Sequence, residues 1–392
     1  MKNVLATYFK GDKVIWMVAF LLTIVSLLVV YSATGSLAYR LKGGNTTFYF
    51  MKQLMFLGVG FMIIYMTHLL PYRIFSKFAQ LLLFLSIPLL LVTLLFGANL
   101  NDASRWLVIP GLGFTVQTSD LAKLALIMYV ARTLAQKQDQ IKNLKETFLP
   151  LILRIGLVCL LILPANFSTA ALLGLTCTTL LFVGRISIKH LAMVFGISVV
   201  AFGLFILVAA KTPLGNRIGT WKHRIENFVD GNGNGGVGYQ VEQGKIAIAT
   251  GGILGKGPGN STQRNYLPHP YSDFIYAIII EEYGVVGGIF VLFLYLILLF
   301  RAGLIVRKSK RTFPAFLAIG LTLLLVFQAL VNMAVAVHLF PVTGQPLPMV
   351  SMGGSSLIFT SVALGIILSV SRSLDEKDNN VITDDNGATV NS

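Results

Sequence analysis

Ten apolar runs, each long enough or nearly so to cross a bilayer, dictate what this chain can fold into. They lie near residues 14–32, 52–70, 78–97, 116–132, 148–164, 168–184, 189–210, 273–300, 314–340 and 352–371. A helix rises about 1.5 Å per residue, so roughly 20 residues cross the ~30 Å hydrocarbon core. The fifth and sixth runs are the weakest, because only PANFS (164–168) separates them. With 55% hydrophobic and 12% charged residues the chain cannot be a soluble domain. The expected fold class is all-α: a polytopic integral membrane protein of about ten transmembrane helices with one large extracytoplasmic loop.

Charge then orients the spans. The net charge of +15 is spread over loops in a way that argues for membrane topology and anionic membrane lipid, with no nucleic acid partner. Alternate loops carry Lys10 and Lys13, Arg73 and Lys77, Arg132 to Lys145, Arg185 and Lys189, and Arg301 to Arg311; the intervening short loops carry only Arg40, Lys42, Lys52 and Arg105. The positive-inside rule therefore places both termini in the cytoplasm. The first apolar run is long for a signal peptide and reads as an uncleaved span. The resulting domain plan is a cytoplasmic N-terminus (1–13), a ten-helix transmembrane domain (14–371) and a disordered cytoplasmic tail (372–392), with residues 211–272 as the extracytoplasmic loop. A loop that long is usually functional. It carries Arg217, Trp221, Arg224, Gln240, Gln243, Lys256 and Arg264.

Acidic residues inside apolar runs are the next signal, since each costs roughly 2.5–3.5 kcal/mol to insert. In LPHPYSDFIYAIIIEEYG (267–284), Asp273 stands where a polar loop enters an apolar helix, and Glu281 and Glu282 follow two turns deeper. A carboxylate at that boundary suits a general base; it also suits a helix N-cap, with Ser272. For Glu281 and Glu282 support of the site is the expected role, one of them facing Lys123. Gln117, Asp120 and Lys123 step by three, so they share a helix face where the two charges can pair. That pair is either a structural brace or the lining of a cavity.

Of two glycine-rich segments, one invites phosphate binding. GGILGKGPGNS (251–261) fails the Walker spacing, because Gly257 follows Lys256, so no nucleotide is expected. Its backbone amides could still cradle a diphosphate. GNGNGGVGYQ (231–240) reads as a flexible hairpin or turn. FPVTGQPLPMVSMGGSSL (340–357) fixes a non-helical backbone at membrane depth, tolerated only where it is buried or lines a cavity, and Ser351, Ser355 and Ser356 offer hydroxyls there. Asn332 should satisfy a neighbouring helix. Cys159 and Cys177 read as small buried hydrophobes, and no His/Cys/Asp cluster has zinc spacing.

Taken in order, ASRWL (103–107), QTSDLAKLA (117–125), RIGTWKHR (217–224), GYQ with Gln243, LPHPYSDFIYAIIIEEYG and PVTGQPLPMVSMGGSS (341–356) resemble the SEDS family (FtsW/RodA/SpoVE) over roughly residues 12–372. The resemblance implies a peptidoglycan glycosyltransferase that polymerises lipid II into glycan strands at the outer face of the bacterial cytoplasmic membrane. It implies Asp273 as the essential aspartate. Substrate contacts would come from Arg105, Gln117, Asp120, Lys123, Arg217, Trp221, Arg224, Gln240, Gln243, Lys256, Arg264 and Ser355. It also implies a class B penicillin-binding protein and other division or elongation proteins as partners, a nascent glycan strand as ligand, and a divalent cation, Mg2+ or Mn2+. Three departures stand out. Asp120 replaces the family's usual Glu. PANFSTA (164–170) has Asn166 where the family has an acid. RNYLP (264–268) lacks the usual lysine-containing lead-in. The short tail and the PANFSTA variant lean towards the division branch. The rival reading is a flippase for the same lipid-linked precursor, since intramembrane charge and broken helices suit a transporter too. Against it, the polar residues concentrate in the outer loop and outer helix ends, with no inverted repeat.

Overall fold

The computed structural model describes residues 9–100, 103–109, 114–141, 143–209, 219 and 236–387. Each of the ten apolar runs is a helix: α1 (Lys13–Ala33), α3 (Thr46–Leu69), α4 (Tyr72–Phe96), α5 (Thr118–Gln136), α6 (Leu149–Ile162), α7 (Phe167–Val183), α8 (Ile188–Ala209), α10 (Ile275–Lys308), α11 (Thr312–Ala336) and α12 (Gly354–Gly387). Among the described residues six of these, α1, α3, α4, α10, α11 and α12, are by themselves long and apolar enough to cross a bilayer. The others have reasons to fall short: α6 has only 14 residues and α7 only 17, and α5 carries Asp120, Lys123 and Arg132. The chain is a multi-pass helical membrane protein.

Local chemistry sets the helix ends. Asp12 caps α1 by accepting from Val14 N at 2.9 Å, Asn45 caps α3 through Phe48 N at 3.2 Å, and Asn166 caps α7 through Thr169 N at 3.2 Å. Asn166 therefore terminates the PANFS break as a cap, which an amide does as well as a carboxylate. Of those six long spans, α11 is the most enclosed, packed by α5, α7, α10 and α12.

Four features of the structure go beyond the domain plan. Residues 98–117 are not all loop and helix: β1 (Ala98–Leu100), β2 (Ala103–Ile109) and β3 (Phe114–Gln117) form an antiparallel sheet in that order, Trp106 opposite Gln117. A short helix α2 (Gly35–Lys42) follows α1. The supposed loop 211–272 contains helix α9 (Gly236–Gly251), because Val241, Ala247 and Ile248 give it an apolar side that packs on α10, where Gly244 touches Phe274. Its glycine-rich start had suggested a turn. Finally, helix α12 runs on to Gly387 where a disordered tail was expected from residue 372.

Helix α10 breaks its own geometry at Gly284, where φ is 71° and ψ −175°. The turn after α9 explains this. Val285 N donates to Gly252 O at 2.9 Å, and Gly257 N donates to Glu282 O at 2.9 Å. A Cβ on Gly284 would lie 2.0 Å from Ile253 O, and one on Gly251 2.2 Å from Ile280 O. Two backbones meet here at a distance only glycine permits. Gly284→Ala should therefore cost on the order of 2–3 kcal/mol, read as a lowered Tm in detergent. Gly303→Ala, with open space around its Cβ position, should leave Tm unchanged.

Candidate active site

The polar residues of the spans gather at one end of the bundle, around the irregular segment 337–353 between α11 and α12. Proline and positive-φ positions, Gly344 at 65° and Met349 at 63°, keep that segment from becoming helix. Its carbonyls are satisfied from other elements: Gln328 Nε2 donates to Pro346 O at 2.9 Å, Asn332 Nδ2 to Gln345 O at 2.7 Å, Ser26 Oγ to Val350 O at 2.8 Å, and the Tyr295 hydroxyl to Pro348 O. Gln345 in turn donates to Thr169 Oγ1 at 2.7 Å.

Asp273 sits against this segment. Asn332 Nδ2 donates to the Asp273 main-chain carbonyl at 3.0 Å, and Ser351 Oγ donates to Ser272 O at 2.7 Å. Met352 N donates to Tyr271 O at 2.9 Å. The side chain of Asp273 is half-buried and accepts from Ser272 Oγ at 2.8 Å; Gly344 lies beside its Oδ2. The capping reading fails. Helix α10 starts at Ile275 with Phe274 in the cap position and no side chain capping it. Among the described residues no cation pairs with Asp273. Its backbone is locked while its carboxylate is left available, which a general base requires.

The charged pair forms as its spacing predicts. Lys123 Nζ lies 2.7 Å from Asp120 Oδ1, and the two side chains are 7% and 4% exposed. Lys123 Nζ also donates to Gln328 Oε1 at 3.2 Å. Asp120 Oδ2 is buried without a partner among the described residues. Gln117 turns its amide to Ser119 Oγ at 3.0 Å instead of joining the pair, and its backbone N–H donates to Ser355 Oγ at 3.3 Å.

Gln328 is the residue that the sequence reading missed. It bridges Lys123 to Pro346 O, and Asn332, one turn later on the same face of α11, bridges Asp273 to Gln345 O. The signal was available as two carboxamides spaced i,i+4 inside an otherwise apolar span.

Glu281 and Glu282 contradict their expected place near Lys123. Glu281 is fully buried and meets Lys256 Nζ at 2.6 Å. It also accepts from Thr262 N at 3.0 Å and Thr262 Oγ1 at 2.8 Å, with Ser261 and Gln263 adding further donors. Glu282 accepts from the Ser32 hydroxyl and from Ser261 N at 3.3 Å. Arg264 donates to Ser32 Oγ at 2.8 Å and Ser32 O at 3.2 Å, tying the end of α1 to the same cluster. Lys256, expected to meet a diphosphate, is instead the counter-charge of Glu281, and Arg264 braces α1. The physical reason is desolvation: a carboxylate on a buried helix takes the nearest cation it can reach.

Gln240 and Gln243 lie half-buried on α9. Arg105 is on β2, with its side chain outside the described residues; Arg217, Trp221 and Arg224 also fall outside them. The thiols of Cys159 and Cys177 are free. No group of three or more His, Cys, Asp or Glu side chains able to hold a metal occurs among the described residues.

Removing Lys123 should strand Asp120 in a buried site. Lys123→Ala is expected to lower stability by about 3–5 kcal/mol, with Lys123→Arg milder and Asp120→Glu tolerated, measured by thermal unfolding in detergent. Gln328→Leu should cost about 1–3 kcal/mol by orphaning Pro346 O. If the Lys123→Ala and Gln328→Leu effects simply add in the double variant, the bridge does not couple them.

The chain is similar to known proteins over most of its length. The family model FTSW_RODA_SPOVE, described as a cell cycle protein, matches residues 12–376. The probable peptidoglycan glycosyltransferase FtsW of Trichlorobacter lovleyi is 35% identical over 371 residues, 93% of each chain. The stage V sporulation protein E of Bacillus subtilis is 30% identical over 367 residues, 92% of this chain and 97% of that one. Among solved structures, a chain from a peptidoglycan synthase complex superposes with TM-score 0.68 at 26% identity, over 93% of this chain and 98% of its own. A mutant of the Thermus thermophilus rod shape determining protein RodA superposes with TM-score 0.65 at 25% identity, over the same shares. The chain therefore belongs to the FtsW/RodA/SpoVE family.

Proposed function

We propose that this protein is a peptidoglycan glycosyltransferase that extends a glycan strand from lipid II, with Asp273 as the general base. The observation that carries the assignment of the base is the state of Asp273: backbone fixed by Asn332, carboxylate neither capping a helix nor, among the described residues, paired with a cation. In the reaction the acceptor sugar's 4-hydroxyl gives its proton to the Asp273 carboxylate. Its oxygen bonds to the donor anomeric carbon, and the bond from that carbon to the phosphate oxygen breaks, its electron pair leaving on the polyprenyl diphosphate. The configuration inverts.

The leaving diphosphate needs positive charge. With Lys256 and Arg264 engaged within the fold, that part falls to Arg105, Arg217 and Arg224. A divalent cation, Mg2+ or Mn2+, belongs to the same reading. Magnesium is commonly held by one or two carboxylates plus substrate phosphates, and Asp273 is the carboxylate that fits. Bound there, it would neutralise charge on the diphosphate. The buried pair of Asp120 and Lys123 acts through Gln328, holding the 337–353 segment on which Asp273 rests. A class B penicillin-binding protein is the partner that would cross-link the product. Lipid II is exported, so the end of the bundle with Asp273 faces outward and both termini lie in the cytoplasm.

Asp273→Asn should lower lipid II polymerisation at least about 100-fold, the lower range of general-base contributions, with Tm unchanged. The assay is purified protein with its transpeptidase partner and labelled lipid II. Near-normal polymer from a folded variant would remove Asp273 as the base.

Orientation has its own test, in a background lacking Cys159 and Cys177. A cysteine at exposed Asn260 should react with a membrane-impermeant maleimide in cells with a permeabilised outer layer, and one at exposed Asp139 only after lysis. The reverse order would put Asp273 on the cytoplasmic side and end the polymerase reading.

A further inference from the structure

At the end of the bundle opposite Asp273, α1, α10 and α12 enclose a cavity of about 410 Å³, the size of a small-ligand pocket. Along the unbroken part of α10, Arg301 on the cavity wall lies roughly 25 Å beyond Gly284 at about 1.5 Å per residue. The apolar stretch of α10 from Val285 to Phe300 ends at Arg301, and Lys308 follows two turns later. Beyond the break at Gly284, α10 runs from Val285 to Lys308, about 36 Å at about 1.5 Å per residue, which is longer than a ~30 Å hydrocarbon core. Arg301 to Lys308 therefore stand at headgroup level.

The charges around this cavity do not cancel locally. Asp12 is fully engaged: its Oδ1 caps α1 and its Oδ2 accepts from Arg301 Nε at 2.6 Å. Asp375, also on the wall, has a partner of its own. Lys13 and Lys308 line the cavity, are exposed, and hold no ion pair among the described residues. Between them run Val14, Leu304 and Ile305. Two uncompensated ammonium groups above an apolar wall make a site for an amphiphilic anion. A basic pocket between helix ends at headgroup level is where membrane proteins hold acidic lipid.

We propose that this cavity binds the headgroup of an anionic phospholipid, its phosphodiester on Lys13 and Lys308 and its glycerol and first acyl carbons on Val14, Leu304 and Ile305. Free phosphate would meet the lysines alone and leave the apolar wall unused. The site is remote from Asp273, and the proposal does not rest on the glycosyltransferase reading.

The test is native mass spectrometry of the full chain in detergent, titrated with phosphatidylglycerol, with phosphatidylcholine, or with glycerol 3-phosphate. Three proteins are compared: wild type, Lys13→Gln/Lys308→Gln, and Lys77→Gln/Lys310→Gln. The last removes the same charge from exposed positions that do not line the cavity. The expected result is retention of phosphatidylglycerol by wild type and by the Lys77/Lys310 variant, at least tenfold reduced in the Lys13/Lys308 variant. Phosphatidylcholine and glycerol 3-phosphate should bind weakly to all three. Equal loss in both double variants would mean a general basic surface and overturn the site. So would undiminished phosphatidylglycerol on the Lys13/Lys308 variant, equal retention of phosphatidylcholine, or glycerol 3-phosphate binding as tightly as the lipid. Tm of each protein without lipid shows whether a lost signal comes from misfolding, and Lys13→Arg/Lys308→Arg should restore binding.

Discussion

A stretch of non-helical backbone within a helical bundle governs the rest of this structure. Residues 337–353 meet few of their own hydrogen-bonding needs, as where Val350 N donates to Leu347 O, and in a low-dielectric environment an unsatisfied carbonyl costs several kcal/mol. Gln328 and Asn332 of α11, Tyr295 of α10 and Ser26 of α1 meet that demand from three different helices. Each satisfies one carbonyl, and together they fix where the segment lies. Asp273 inherits its position from this arrangement, because Asn332 and Ser351 hold the backbone on either side of its Cα. A loop that is costly to bury becomes a rigid platform once every polar group has a partner.

The buried charges obey the same rule of local satisfaction, and it divides them by role. Glu281 finds Lys256, Glu282 finds Ser32, and Asp120 finds Lys123. The first two bind the turn after α9 and the end of α1 to the kink at Gly284. The third braces α5 against α11. Asp273 stands apart from them because it is only half-buried and has no cation paired with it among the described residues. Among carboxylates so close in sequence, the distinction between scaffold and base comes from solvation and partners, not from residue type.

Much of the architecture was legible in the sequence, for a physical reason. Membrane crossing demands length and hydrophobicity, both of which can be read directly, so each of the ten runs found its helix. Pairing of Asp120 with Lys123 followed from helical spacing, and the platform at 340–357 followed from its prolines and glycines. What the sequence hid were choices made by long-range approach. Nothing in GGILGKG announces that its glycines exist to touch the backbone of α10. Hence Lys256 looked like a free cation, and one of Glu281 and Glu282 looked like a neighbour of Lys123. Helix α9 was hidden for a related reason: its apolar residues make sense only against Phe274 and α10.

Asn166 shows how far a departure from a family pattern can be read from geometry. An acid at this position would put a further carboxylate among buried side chains, since Asn166 is itself buried. The amide keeps the one function visible here, the bond from Thr169 N that starts α7. Thr169 then accepts from Gln345, so the cap also anchors the platform beneath Asp273. Asparagine and aspartate cap helices about equally well. Asn166 therefore starts α7 without bringing in a buried charge. A path of hydrogen bonds then runs from α7 through Gln345 and Asn332 to the backbone of Asp273, so a helix cap on one span helps to set where a carboxylate on another is held.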